Sequence, residues 1–298
     1  QQLVNSGNDF YGASDFVKPN NPDGGPDLYK QAEEKGFTIA RGYKDYQKKA
    51  KKADRMILFQ SEEASKKDRG SIPYALDRSK NDLTLTDITR AAVNFLTKKQ
   101  GQKDGFFLMV EGGKIDWACH ANDPVFVSEV IDLDNAVKVA YEFYQQHPDE
   151  TLIVVTADHE TGGMALGWDH YEIRMNILAE QKTSALQVTK TFQQMRADGI
   201  RNWESYKKVL SDYLGLWSTV PVTAEEEKLL RHDFSEIFMK YGPMVDGLYN
   251  KNEFVVYHAL NILNKHASLD WTSLYHTGMY TPLSVKGVGE KLFLECRD

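Results

Sequence analysis

The sequence predicts an α/β fold: a mainly parallel sheet layered with helices, interrupted by an α-helical insertion. Three observations point there. Strand-like and helix-like segments alternate through the first half of the chain, as they do in βαβ units. The run Leu152-Ile153-Val154-Val155-Thr156 is apolar and β-branched, the pattern of a parallel strand buried on both faces. From about residue 170 to 270, helical periodicity replaces that alternation.

Taken in chain order, Phe37-Thr38-Ile39-Ala40 reads as a strand, 45–52 as a polar helix and Arg55-Met56-Ile57-Leu58-Phe59 as another strand. Thr84-Leu85-Thr86-Asp87 has the spacing of a capping box, and Ile88, Ala92, Phe95 and Leu96 then recur at helical intervals. Residues 106–110 read as a further strand. An amphipathic helix is expected over 128–147, with Val130, Leu133, Val137, Ala140, Tyr141 and Tyr144 near one face. Within the insertion, Val188, Phe192 and Met195 mark one helix; Trp203, Tyr206, Leu210, Tyr213 and Leu214 mark a second. Thr223-Ala224-Glu225-Glu226 caps a third, which carries Leu229, Leu230, Phe234, Ile237, Phe238 and Tyr241, and 254–264 forms a fourth. Strand and glycine character returns from Leu274. The expected division is therefore an α/β core of 1–167 and 271–298, with 168–270 as the helical insertion.

Composition narrows the function classes. A chain of 298 residues can bury a substantial core. Its net charge of −7 argues against nonspecific nucleic-acid binding, which needs Lys and Arg to neutralise phosphates. An anionic substrate must then be drawn by local positive charge from a metal or a few basic side chains. No apolar run approaches the roughly 20 residues that span a bilayer. Two cysteines, Cys119 and Cys296, cannot make a disulfide framework. The chain opens on Gln1-Gln2 with no initiator Met and no signal-like segment, so a processed or truncated product is expected.

Three places carry metal-type ligands. Asp116 and His120 stand four apart, which puts both on one face of a helical turn and offers an oxygen and a nitrogen donor suited to zinc. Glu111 precedes them, beside Gly112 and Gly113, which permit a tight backbone path. Asp158 and His159 follow the 152–156 strand, and in open α/β sheets ligands bind at the carboxyl ends of strands. Either motif alone is more often a polar turn or a solvated face. Two such strand ends in one chain favour a two-metal site. His276, followed by Thr277-Gly278, lies outside the insertion and is a further candidate, whereas five other histidines sit in helical or polar contexts. Nucleophile motifs are missing: there is no Gly-x-Ser-x-Gly elbow and no Gly-x-x-x-x-Gly-Lys-[Ser/Thr] loop. Cys119 is a ligand or thiol nucleophile on one reading and a small buried residue on the simpler one.

Together these blocks resemble the alkaline phosphatase family. "FFLMVEGGKIDWACHAND" is similar to its Val-Glu-Gly-x-x-Ile-Asp-x-x-x-His block, "LIVVTADHETGG" to its Thr-Ala-Asp-His block, and "HTGMYTPLSVKGVG" to its late His-Thr-Gly block. "YALDRS" at 74–79 and the helix after it stand in the expected order. The resemblance implies that Asp116, His120 and His276 bind one zinc, Asp158 and His159 a second, and Glu111 a magnesium. Trp117 falls where the family varies among Lys, His and Trp, which implies a part in phosphate handling without metal ligation.

The reaction implied is hydrolysis of phosphomonoesters through a phosphoserine intermediate, with phosphomonoesters and inorganic phosphate as binding partners. A periplasmic or secreted location and a homodimer are compatible with the family. The family's metal-bridging Asp, nucleophilic Ser, magnesium-binding Thr and phosphate-clamping Arg find no match here, and no Asp-Ser dipeptide occurs. The expectation is a C-terminal portion that supplies most zinc ligands and is inactive alone. The alternatives are another hydrolase of the same superfamily (a phosphodiesterase or sulfatase) and a non-catalytic metal-binding or partner-docking module.

Overall fold

The computed structural model describes residues 2–20, 24–67, 70–100, 104–167, 171–239, 244–246, 249 and 251–294. The first stretch of chain runs α1 (Gln2–Asn5), β1 (Phe10–Ala13), α2 (Leu28–Glu34), β2 (Phe37–Arg41), α3 (Tyr43–Lys49), β3 (Arg55–Phe59), α4 (Glu62–Lys67) and α5 (Leu85–Gln100). Then come α6 (Gly113–Cys119), α7 (Phe126–Gln146), β4 (Leu152–Val155), β5 (Glu160–Thr161) and β6 (Met164–Leu166). Helices α8 (Ala185–Ala197), α9 (Trp203–Leu214) and α10 (Ala224–Glu236) follow, then β7 (Met244–Asp246), β8 (Lys251–Glu253) and α11 (Phe254–His266). The chain closes with β9 (Leu269–Trp271), β10 (His276–Thr277) and β11 (Ser284–Gly287). It divides into two compact units. One comprises Gln1–Gly113, Glu129–Val154 and Val285–Asp298; the other comprises Lys114–Ser128 and Val155–Ser284.

In the first unit β3 lies between β1 and β2, with both pairings parallel and Met56 opposite Phe10 and Thr38. A central parallel strand is covered on both faces, and the side chains of β3 alternate accordingly. Met56 and Leu58 join Ala40, Tyr46 and Phe95 in one cluster, while Ile57 and Phe59 join Ala32 and Phe37 in another. Each fully buried side chain of this size is worth roughly 1.5–3 kcal/mol. Helix α5 begins with the expected box: the Asp87 amide donates to Thr84 Oγ1 at 3.0 Å, and the Thr84 amide donates back to Asp87 Oδ2 at 3.0 Å. Gly12 of β1 is required by close approach, because a Cβ there would lie 2.3 Å from Ile88 Cγ2 of α5. The "YALDRS" loop is held through Arg78, which donates to Asp132 of α7 at 2.7 Å, and through Ala75, whose amide donates to Glu129 at 2.6 Å.

Two sequence expectations fail in this unit. Residues 106–110 form no strand among the described residues: Phe106 and Leu108 pack on the β3 cluster, but Phe107 and Met109 are 89% and 77% exposed. Alternation sets which side chains face inward, whereas a strand also needs a neighbour for its amides and carbonyls. Strand β4 is likewise not buried on both faces; it pairs with β11, and Leu152 and Val154 are exposed. Strand β1 was not foreseen, since Phe-Tyr-Gly-Ala is too short to show a period.

The second unit holds the helical segment and the loops that carry most of the expected metal ligands. Val188, Phe192, Tyr206, Leu210, Leu214, Leu230, Leu260 and Leu263 are fully buried in one cluster drawn from α8 to α11. The expected capping box at Thr223 is present, with Glu226 donating its amide to Thr223 Oγ1 at 3.2 Å and accepting from the Thr223 amide at 2.8 Å. Helix α9 ends at Gly215, whose φ of 71° is the left-handed cap that glycine adopts at low cost. Tyr241 and Cys296 lie outside the described residues. No described helix is long and apolar enough to cross a membrane.

Candidate metal centre

Helix α6 sets the first pair of donors. The His120 amide donates to the Asp116 carbonyl at 2.9 Å, so the helical turn continues through His120 and both side chains share a face. His120 Nε2 then lies 3.3 Å from Asp116 Oδ1. The chain beyond is pinned by Asp123, a buried carboxylate that accepts from the amides of Val125 (3.1 Å) and Ala185 (2.7 Å) and from Gln181 Nε2 (2.6 Å). Such donors compensate the burial of the charge.

A short antiparallel pairing delivers the remaining donors. Strand β10 pairs with β5, placing His276 opposite Thr161 and Thr277 opposite Glu160. Glu160 accepts from the Gly163 amide at 3.0 Å and from the Thr277 hydroxyl. Gly162 and Gly163 have φ of 89° and 60°. A Cβ on Gly162 would come within 2.6 Å of the Trp271 ring, so this turn needs glycine for both conformation and space.

The geometry brings four expected ligands together. His276 Nε2 is 3.1 Å from His120 Nε2 and 4.0 Å from Asp116 Oδ1, and the His159 ring stacks on that of His276 at 3.5 Å between centroids. Asp116, His159 and His276 each offer a ligand atom within 4.8 Å of the others. Donors expected to serve two different zincs thus meet in one cluster. Asp158 stands at its edge, 87% exposed, with Oδ2 3.4 Å from His159 Nε2. Glu111 belongs to the first unit, where its carboxylate folds back beside Gly113.

Hydrogen bonding fixes the tautomers. His120 Nδ1 lies 2.6 Å from the carbonyl oxygen of Leu274, which can only accept, so Nδ1 carries the proton and Nε2 presents its lone pair in the neutral ring. Thr161 Oγ1 donates its single hydrogen to Asp116 Oδ1 at 2.6 Å and therefore accepts from His159 Nδ1 at 3.2 Å. That leaves His159 Nε2 bare, facing Asp158. Lone pairs and carboxylate oxygens crowded face to face repel one another unless a shared proton or a cation sits among them. Nitrogen and oxygen donors with ring N–H groups held by a carbonyl and a hydroxyl are the dress of a zinc-type centre, so these residues fit divalent metal.

Trp117 points away from ligation. Its ring stacks on Tyr249 at 5.2 Å with 14° between planes, and Lys114 Nζ lies 4.2 Å from its centroid. Tyr249 also meets the His120 ring edge-on at 5.3 Å. Cys119 is no thiolate: burial, reinforced by Asp116, Glu160 and Asp123, pushes its thiol up to about 12. Sequence reading missed Thr161, the Leu274 carbonyl and Tyr249. Thr161 could have been found within the Asp-His-Glu-Thr-Gly-Gly run; nothing local marks the other two.

The parallel sheet layered with helices defines the class, an α/β protein, and its second unit carries a histidine–carboxylate cluster whose donors fit a divalent metal. The family model for alkaline phosphatase matches residues 13–294, and the chain belongs to the alkaline phosphatase family. Alkaline phosphatase 4 of Bacillus subtilis (strain 168) is 32% identical over 225 residues, covering 75% of this chain and 43% of that protein. The repressible alkaline phosphatase of Saccharomyces cerevisiae is 30% identical over 55% of this chain and 28% of its own length. The chain thus spans less than half the length of these curated relatives. The crystal structure of a cold-active alkaline phosphatase from the psychrophile Shewanella sp. superposes with a TM-score of 0.71 at 22% identity, covering 98% of this chain and 62% of that one. That of Thermus thermophilus alkaline phosphatase gives 0.71 at 22%, covering 97% and 59%. At that identity the likeness shows the fold.

Proposed function

We propose that this chain supplies the metal-binding part of a metal-dependent phosphomonoester hydrolase. The observation that carries the proposal is the convergence of Asp116, His120, His159 and His276, each oriented by a hydrogen bond or ring contact, in a member of this family. Bare nitrogens at His120 Nε2 and His159 Nε2 face different carboxylates, Asp116 and Asp158 respectively. This favours two zinc positions, the first held by Asp116, His120 and His276 and the second by Asp158 and His159. Glu111 is proposed for magnesium. When bound, such ions polarise phosphoryl oxygens and stabilise the entering and leaving oxygens of an in-line displacement.

The chain's own residues prepare that chemistry. The Leu274 carbonyl and the Thr161 hydroxyl hold two imidazoles in the ligating tautomer. Thr161 also aims the Asp116 carboxylate, and the β5–β10 pairing fixes His276 over His159. Trp117, held by Tyr249 and Lys114, provides a wall beside His120 for the phosphate ester. The attacking serine of a phosphoserine route is not assigned to any residue here, and the chain alone is proposed to be inactive. A periplasmic or secreted setting follows from the family only.

The test pairs binding with turnover. With zinc and magnesium present, the chain is expected to bind inorganic phosphate, to lose that binding in His276→Ala, and to leave p-nitrophenyl phosphate unhydrolysed. Turnover would overturn the assignment of inactivity. Hydrolysis of a phosphodiester or sulfate ester in preference to the monoester would move the chain to another branch of the superfamily. Phosphate binding that ignores both metal and His276 would remove the site itself.

A further inference from the structure

The metal cluster has an aromatic flank that supplies no ligand. Tyr249 stacks on Trp117 at 5.2 Å between centroids with 14° between planes, and its ring lies 5.3 Å from that of His120. Both residues belong to the second unit, as do Asp116, His120, His159 and His276. The Trp117 ring is already engaged, by Tyr249 stacked on it and by Lys114 Nζ at 4.2 Å from its centroid. Tyr249 is 49% exposed. A planar ring thus stands open to solvent within one ring contact of His120.

The ring contacts continue from His120 to His276 at 5.0 Å and from His276 to His159 at 3.5 Å, where exposed Asp158 stands beside His159. The two ends of this series differ in chemistry. The Asp158 end presents a carboxylate that keeps its hydration, and the Tyr249 end presents an aromatic surface. A phosphoryl group drawn to the cluster carries its alcohol towards one end or the other. A small alkyl or strongly polar alcohol has no flat face to place on a phenol ring. A planar apolar ring is favoured there by burial and by stacking together. Aromatic pairs of this kind hold their centroids about 4.5–7 Å apart. Tyr249 lies within that range of His120 itself, so a ring joined to phosphorus through one oxygen can rest on Tyr249 while the phosphoryl group stays at the cluster.

We propose that Tyr249 determines specificity at this site and selects phosphomonoesters of phenolic alcohols, whose ring stacks on its open surface. The proposal rests on the phosphomonoester reading above and adds the substrate class to it. Trp117 backs the Tyr249 ring and is not itself the stacking surface.

The test is calorimetric binding of phosphonates to the full chain with zinc and magnesium present, so that no turnover is required. Benzylphosphonate copies phenyl phosphate with a methylene in place of the ester oxygen. Cyclohexylmethylphosphonate has a ring of similar size without a π face, and methylphosphonate has no ring. Benzylphosphonate is expected to bind about tenfold tighter than methylphosphonate and about threefold tighter than the cyclohexyl compound. Tyr249→Phe should keep the preference for the flat ring over the saturated one. Tyr249→Leu and Tyr249→Gln, each checked for fold by circular dichroism, should erase it. Equal binding of the benzyl and methyl compounds, tighter binding of the saturated ring, or a flat-ring preference that survives both Tyr249→Leu and Tyr249→Gln would overturn the proposal and leave the phosphate site standing. Failure of all three phosphonates to bind would remove the phosphate site, and this proposal with it.

Discussion

His120 Nδ1 lies 2.6 Å from the carbonyl oxygen of Leu274, which stands 154 residues further along the chain. That contact sets the proton on one nitrogen and leaves the other to ligate. It also ties the end of α6 to the segment that carries His276, two residues beyond Leu274. Ligand orientation and ligand assembly therefore depend on the same hydrogen bond.

Thr161 does the equivalent for the second half of the centre. Replacing it by Val removes the donor to Asp116 and the acceptor for His159 Nδ1 at little change in volume. Zinc affinity is expected to fall by roughly 10–100-fold, the usual cost of losing a group that orients a metal ligand. Competition against a chromophoric chelator measures this, and an unchanged affinity would show that Thr161 orients neither ligand.

Stability of the helical segment should follow burial and not hydrophobicity. Leu210 is fully buried in the α8–α11 cluster, whereas Leu229 on α10 is 41% exposed. Leu210→Ala is expected to cost about 2–5 kcal/mol and Leu229→Ala no more than about 0.5 kcal/mol, read from urea denaturation. Equal costs would mean that α10 packs by a different face.

Acid sensitivity in the first unit is assigned to Asp15. Burial raises its carboxyl, but hydrogen bonds from Tyr29 (2.6 Å), Arg41 and the Phe16 amide, with the Arg41 charge, outweigh that and hold it below the usual 3.8. The folded state thus binds the proton less readily than the unfolded chain. The stabilisation is fully present above the unfolded value and is lost as pH falls from 3.8 through the lower folded value. Asp15→Asn should cost roughly 1.5–3 kcal/mol at neutral pH. That gap from wild type should narrow as the solution is acidified below 3.8, and a gap that stays constant would assign the effect to packing.

Much of the architecture is legible in the sequence because it is local. Both capping boxes, at Thr84 and Thr223, announce themselves in four residues, and the four helices of the 185–266 region follow their apolar spacing. Strand β3 reads correctly because five successive apolar or long side chains leave one option. The misreadings at 106–110 and β4 share a cause: apolar pattern reports what a segment can pair with or pack against, not whether a neighbour is there. At the centre, the Asp116–His120 turn is visible as an i,i+4 spacing. The approach of His276 depends on a two-residue β5–β10 pairing that bridges more than a hundred residues, and Tyr249 arrives from a segment with no motif. Such contacts are products of the tertiary fold.

The most direct measurement is a calorimetric zinc titration of the wild-type chain beside His120→Ala and His276→Ala. Each variant removes one nitrogen from a pair 3.1 Å apart. If these nitrogens share a metal, the tightest zinc site should weaken by at least about tenfold in both variants, with the fold retained by circular dichroism. Zinc binding of undiminished affinity in both variants would contradict the assignment of Asp116, His120 and His276 to one metal centre.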